Sequence, residues 1–294
     1  MGTRGIQFAV KLLSVITIAL IWIMASAPAW AKPTPIRVVS YNIYLGASVQ
    51  KEREARDAGD ERKRLKYSIA HAFMKEGRLR FPDIMGTQEL CAYQGGWQLQ
   101  YFEELLGGDL HEPVYSVHGF EDPTGGGYGN CQRSSAIFSR FPIMDSGVIQ
   151  LQNLSEARSA VWADLDIDGR LVRVYNAHLE SSPKGDGVKG RLIQTKQIIE
   201  HLLQWRAHYP DAPVILLGDL NTLGHIIDPF IRESSIKLVE KYLKPSLPHW
   251  TITHRYLIHQ IDWIFADRIE LLSSNVVHIK LSDHYPIVAD YLLP

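Results

Sequence analysis

Apolar residues along this chain recur with two periods. Short, dense runs, many of them β-branched, fill residues 36–40, 135–138, 161–167, 171–176 and 214–217, and similar runs lead through Glu89 and Asp262. Runs of four to eight such residues bounded by Gly, Pro or Asp predict strands buried on at least one face. Apolar positions at three- and four-residue spacing predict helices over 65–74 (Leu65, Ile69, Ala70, Phe73), 97–106 and 191–205. Residues 161–167 and 171–176 alternate cleanly around Asp168-Gly169, which predicts a β-hairpin closed by a type I′ turn. Gly218 is expected to end the strand over 214–217.

The stretches between these elements are polar. Residues 51–64 are dense in both charges and read as a solvated loop or helix. The segment 118–133 carries Pro-Thr-Gly-Gly-Gly-Tyr-Gly-Asn and is expected to be a loop, either a plain connector or one that presents Tyr128 and Arg133 to a substrate. Residues 181–190 form a Gly/Lys loop at the lip of any site nearby. Residues 245–256 read as an edge strand leading to Asp262; Trp250, His249, His254 and Arg255 would equally suit stacking on a base or approach to a lipid headgroup. Strands, hairpins and covering helices in this order predict an α/β fold of two stacked sheets with helices outside.

Composition adds three constraints. At 294 residues and 46% hydrophobic, with no linker, repeat or low-complexity tract, the chain suits one large globular domain. The N-terminus departs from that pattern: Arg4 and Lys11 precede an apolar run over 12–26, and Ala29-Trp30-Ala31 offers a cleavage site. This predicts a signal peptide over 1–31, an exported (secreted or periplasmic) protein, and a domain over 32–294. An uncleaved membrane anchor is the alternative, because no charge lies between Lys11 and Lys32. Removing 1–31 deletes two of the 31 basic residues and none of the 32 acidic ones, so the mature chain has net charge −3. Proteins that grip a phosphate backbone usually carry a basic surplus, so the balance weighs modestly against a nucleic-acid binder. Cys91 and Cys131 are the only cysteines, and in an exported protein they form either one disulfide or two partly buried thiols. No cysteine or histidine spacing suggests zinc.

The candidate chemistry lies at strand termini. Leu216-Leu217-Gly218-Asp219-Leu220-Asn221 delivers a carboxylate and an amide two residues apart, hence on one face. Ser40-Tyr41-Asn42, Thr87-Gln88-Glu89, Asn176-Ala177-His178, Gln260-Ile261-Asp262 and Ser282-Asp283-His284 bring further amide, carboxylate and imidazole groups to other strand ends. Each alone is compatible with a turn, a cap or a buried core histidine. So many strand ends carrying such groups are hard to explain as independent turns.

In this order the motifs resemble the endonuclease/exonuclease/phosphatase superfamily, over residues 37–291. The resemblance implies a four-layer α/β/β/α sandwich of mainly antiparallel sheets with outer helices. It implies a metal-dependent hydrolase of phosphoric esters that uses Mg²⁺, with Mn²⁺ as a substitute. Glu89 and Asn42 would hold the ion, and Asp283 the same or a second ion; oxygen ligands of this kind suit Mg²⁺. His284 would pair with Asp262, His178 would be the second histidine of the deoxyribonuclease and sphingomyelinase branches, and Asp219 and Asn221 would place the water and a phosphate oxygen. Whether Asp219 or a histidine is the base stays open. The substrate is a phosphate ester, with a lipid or small molecule favoured slightly over nucleic acid. A binding protein that has lost catalysis is the remaining alternative, and nothing calls for a protein partner.

Overall fold

A computed structural model describes residues 32–44, 82–91, 97–107, 113–121, 132–153, 156–182, 185–224, 233–257, 259–279 and 282–294. Its strands are β1 (Thr34–Asn42), β2 (Ile84–Cys91), β3 (Tyr115–Phe120), β4 (Arg133–Ser139), β5 (Ile143–Leu151), β6 (Arg158–Ile167), β7 (Arg170–His178), β8 (Val214–Gly224), β9 (Lys244–Pro245), β10 (Gln260–Asp267), β11 (Glu270–Val276) and β12 (Ile287–Leu293). Its helices are α1 (Trp97–Gly107), α2 (Asp186–Arg206) and α3 (Ser234–Val239). The predicted leader, the charged run over 51–64, the helix over 65–74, Tyr128 and Cys131 lie outside the described residues, and the Cys91–Cys131 pairing lies outside them with Cys131. Among the described residues no helix is long and apolar enough to cross a membrane.

The strands form two six-stranded sheets, ordered β11-β12-β1-β2-β4-β3 and β5-β6-β7-β8-β10-β9. Each is antiparallel except for one central parallel pair, β1 with β2 and β7 with β8. A parallel pair needs a crossover connection, and α2 supplies it for β7 and β8. Alternation along the central strands explains the layering. Val38, Ile215, Leu217, Ile264 and Ala289 point into the core between the sheets. Their neighbours point outward: Val39 and Val288 pack with Phe102 and Leu106 of α1, and Leu216, Trp263 and Phe265 pack with Ile198 and Leu202 of α2. Both faces are buried, which is why these strands read as nearly continuous apolar runs. The expected sandwich of two mainly antiparallel sheets with outer helices is the architecture observed.

Four local expectations change. The strand through Asp219 does not end at Gly218 but runs to Gly224. Gly218 has φ +141°, and a Cβ there would sit 1.9 Å from the Ala177 carbonyl oxygen, so the glycine permits close approach of β8 to β7. Helix α2 begins at Asp186, inside the segment expected to be loop. The segment expected to be loop from 118 contributes His118 to Phe120 to β3. The edge strand expected over 245–256 is confined to Lys244–Pro245 and a single bridge at His254. The predicted hairpin is present, with Asp168 and Gly169 both at positive φ as a type I′ turn requires.

Strand direction concentrates the chemistry. β1 and β2 run parallel and end at Asn42 and Cys91, while β12, antiparallel to β1, starts beside Ser40. β7 and β8 likewise bring His178 level with Asp219, and antiparallel β10 places Asp262 opposite Asp219. Asp262 and His284 therefore lie at or before the starts of their strands, yet at the same edge as the ends of β1, β2 and β7.

Candidate active site

Asn42, His178, Asp219, Asp262 and His284 are buried together at this edge. Asp219 is their centre. Its Oδ2 accepts a hydrogen bond from Asn42 Nδ2 at 3.0 Å and lies 3.6 Å from Nε2 of both His178 and His284. Its Oδ1 accepts the Asn221 amide at 3.0 Å, and Asn221 Nδ2 donates to the Leu179 carbonyl at 3.1 Å. Asn221 has φ +50°, a conformation that asparagine tolerates better than most residues.

Each imidazole is backed by a carboxylate. His284 Nδ1 lies 2.9 and 3.0 Å from the two Asp262 oxygens, and the Thr253 hydroxyl oxygen accepts the Asp262 amide. Burial disfavours a charged imidazole here, but Asp262 and Asp219 outweigh it and hold the His284 pKa up at about 10. His178 Nδ1 lies 2.8 Å from Glu121 Oε1, and Arg158 Nη1 lies 2.9 and 3.0 Å from the two ring nitrogens. Burial raises the Glu121 pKa, yet His178, Arg158 and Arg133 together bring it down to about 2. Glu121 is thus an acceptor only, which assigns the His178 proton to Nδ1.

The other predicted residues occupy the rim. Asp283 lies with its Oδ1 4.0 Å from His284 Nε2 and its Oδ2 3.5 Å from His254 Nε2. Burial raises the Asp283 pKa, but the two histidines hold it below the usual carboxylate range. Glu89 is half-buried at the end of β2, one residue beyond the partner of Asn42 in the parallel register. It has φ +56° at a break in the β2–β4 register, a bulge that re-aims the side chain. Arg133 lies 3.6 Å from Glu121 and 3.5 Å from Glu156, so its guanidinium is engaged with carboxylates.

Glu121, Arg158 and Glu156, which also pairs with Arg158, were not among the predicted residues. The hairpin register does not point to Arg158: continued from Ala160 opposite Ala177, it sets Ser159 opposite His178, and Arg158 lies one position further. Glu121 lay hidden at the start of a segment read as loop.

The donor set suits a hard divalent cation. Carboxylate and amide oxygens dominate, ligand atoms of Asp219, Asp262 and His284 fall within 4.8 Å of one another, and Glu89 has no hydrogen-bonding partner among the described residues. Asp262 and His284 already satisfy each other, so the carboxylates with spare lone pairs are Asp219, Asp283 and Glu89.

The model of the endonuclease/exonuclease/phosphatase family matches residues 39–284. The chain belongs to this family. It is accordingly a metal-dependent hydrolase of phosphoric esters. Similar solved structures from the family's fold include a mannosyl-6-phosphatase of Bacteroides thetaiotaomicron (20% identity, 87% of this chain and 99% of that one, TM-score 0.64). The human Nocturnin catalytic domain with bound sulfate gives 20%, 90%, 98% and 0.63, and truncated Caenorhabditis elegans TDP2 gives 19%, 87%, 97% and 0.58. No curated protein matches by sequence. At these identities the likeness concerns the fold, and the matched span of the family model contains every site residue named above.

Proposed function

We propose that the chain is an exported Mg²⁺-dependent phosphoesterase that hydrolyses a small-molecule or lipid phosphate ester by in-line attack of water. The observation that carries this reading is Asp219 Oδ2, held by Asn42 and equidistant at 3.6 Å from two carboxylate-backed imidazoles. Asp219 takes up the proton of the attacking water, and His178 and His284 face the oxygens of the phosphate. Glu121 and Asp262 fix the two ring orientations, as a general acid–base pair requires. Glu89, Asn42 and Asp283 hold the cation, Asn42 through the lone pair left on Oδ1 after it accepts the Tyr44 amide. When bound, the ion neutralises phosphate charge and polarises the ester.

Two features support a small substrate. Arg133 and Arg158 are tied to Glu121 and Glu156 rather than spread along a groove, and the mature charge of −3 offers no surplus for a polyanion. The similarity to a mannosyl-6-phosphatase fits the same reading. A nucleic-acid substrate is the second reading, favoured by the exposed Trp250 and by Arg255, whose guanidinium lies 5.4 Å from the exposed Tyr256 ring.

The test is turnover by residues 32–294 with Mg²⁺ or EDTA. The substrates are bis-(p-nitrophenyl) phosphate, sugar phosphates, phosphoinositides, sphingomyelin, RNA and plasmid DNA, with His284→Ala as control. Metal-dependent turnover of a small ester, abolished in the variant, is the expected result. Preferential cleavage of DNA or RNA would replace the first reading with the second.

A further inference from the structure

Residues 246–257, which follow β9, face two ways. Trp250, Tyr256 and Leu257 are exposed, whereas His254 turns inward and is 8% exposed. Its backbone bridges to His284, and two hydrogen bonds, Arg255 N–H to the Asp283 carbonyl (2.6 Å) and Tyr285 N–H to the Thr253 carbonyl (2.7 Å), clamp the segment against the Asp283-His284 turn. The His254 ring meets the His284 ring edge-on, with centroids 4.7 Å apart.

The ring nitrogens of His254 have distinct surroundings. Nδ1 lies 3.1 Å from the Tyr256 amide and 2.9 Å from the Leu257 amide. Both neighbours are donors only, so Nδ1 must present its lone pair, and the proton of the neutral ring sits on Nε2. Nε2 in turn faces Asp283 Oδ2 at 3.5 Å, the outer limit of a hydrogen bond. The ligand atoms of His254, Asp283 and His284 lie within 4.8 Å of one another, an arrangement that could be read as a metal site. A nitrogen that carries a proton has no lone pair to give a cation.

We propose that His254 is a positioning residue for Asp283: the two loop amides lock it as the Nε2–H tautomer, and it orients the Asp283 carboxylate without itself ligating metal. The inference rests on the proposed reading of Asp283 as a cation ligand. Asp283 Oδ1 lies 3.2 Å from the Ser282 hydroxyl, but that hydroxyl's single proton goes to the nearer Asn42 carbonyl at 2.8 Å, so the orienting donor is His254 at Oδ2, and the carboxylate keeps lone pairs on both oxygens. Partners that orient ligands in this way typically change metal affinity 10- to 100-fold when removed.

Two substitutions separate this role from the alternatives. In His254→Asn the amide oxygen can replace Nδ1 for the loop, but nothing reaches Asp283. In His254→Gln the terminal amide can replace the Nε2–H donor, but the loop loses its acceptor. Calorimetric titration of Mg²⁺ into the metal-free protein, with thermal unfolding in parallel, is expected to give about tenfold or weaker binding for Asn and near-wild-type binding for Gln. Equal loss in both variants would make His254 a ligand, and loss only in Gln would make it a loop anchor; either overturns the proposal. Long-range ¹H–¹⁵N spectra of the metal-free wild type supply a second readout, in which a protonated Nδ1 would also overturn it. Should wild-type protein bind no Mg²⁺, the reading of Asp283 fails, whereas the tautomer is judged from the spectra alone.

Discussion

Two groups of buried charge in this molecule obey opposite rules. Under α2, on the outer face of the second sheet, Arg173 donates two hydrogen bonds to Asp164 at 2.5 and 2.6 Å. The Trp162 and Trp205 rings lie 4.1 and 4.7 Å from its guanidinium carbon, and Trp205 Nε1 donates to Asp164 at 3.2 Å. One positive and one negative group meet there with their hydrogen-bonding capacity largely used and aromatic faces around the cation. At the strand-end edge the balance differs. Among the described residues, Glu89, Glu121, Glu156, Asp219, Asp262 and Asp283 gather around Arg133, Arg158 and the His284 imidazole. The first cluster is closed and neutral, and serves stability. The second keeps negative charge in excess and lone pairs to spare, which is a cost to folding that a bound divalent cation can offset.

The same substitution made in both places should separate the two rules most widely. Asp219→Asn is expected to lower turnover about a thousandfold, within the range of general acid–base contributions, while thermal stability stays level or rises because a buried carboxylate has been removed from its like neighbours. Asp164→Asn should do the reverse. It leaves the Arg173 charge without its carboxylate, at a cost of about 3–5 kcal/mol, or a fall in melting temperature on the order of 10 °C, with turnover per folded molecule unchanged. Steady-state kinetics and calorimetry on the two variants check both arms.

A smaller effect concerns pH. The folded pKa of Glu121, about 2, lies below its ordinary value of 4.5. Its stabilising contribution is therefore complete above about pH 4.5 and is lost as pH falls toward 2, a change on the order of 3 kcal/mol. Glu121→Gln should flatten the acid limb of a denaturation profile across that window. An unchanged acid limb would remove Glu121 from the ionised cluster.

The fold was legible wherever strands are buried on both faces. Val214 to Leu217 and Ile261 to Phe265 announce themselves as apolar runs because alternate residues serve different core layers. The hairpin at Asp168-Gly169 was legible for a separate reason: Asp-Gly between two alternating apolar runs suits two consecutive positive φ values. Site residues such as Asn42 and His178, at strand ends, and Asp219, within β8, followed from the same runs. What escaped depends on distance in sequence. Glu121 reaches His178 across 57 residues from a Gly-rich neighbourhood with no periodicity, and nothing local marks it as that residue's partner. The extent of β9 was misjudged because Thr251, Ile252 and Thr253 have strand-forming side chains, yet tertiary contacts of the Thr253 hydroxyl and His254 fix that backbone outside any sheet.

The central claim is that the acidic excess at the strand-end edge exists to hold a divalent cation. Thermal unfolding of metal-free residues 32–294, which contain the compact unit Thr34–Leu293, against increasing Mg²⁺ tests it most directly. The account predicts a rise in stability that grows with the logarithm of Mg²⁺, reaching about 2.7 kcal/mol at a hundredfold excess over the dissociation constant. The rise should be lost in a Glu89→Gln, Asp283→Asn double variant and retained in Asp164→Asn. A melting temperature indifferent to Mg²⁺ in the wild type, or an equal rise in the double variant, would contradict it.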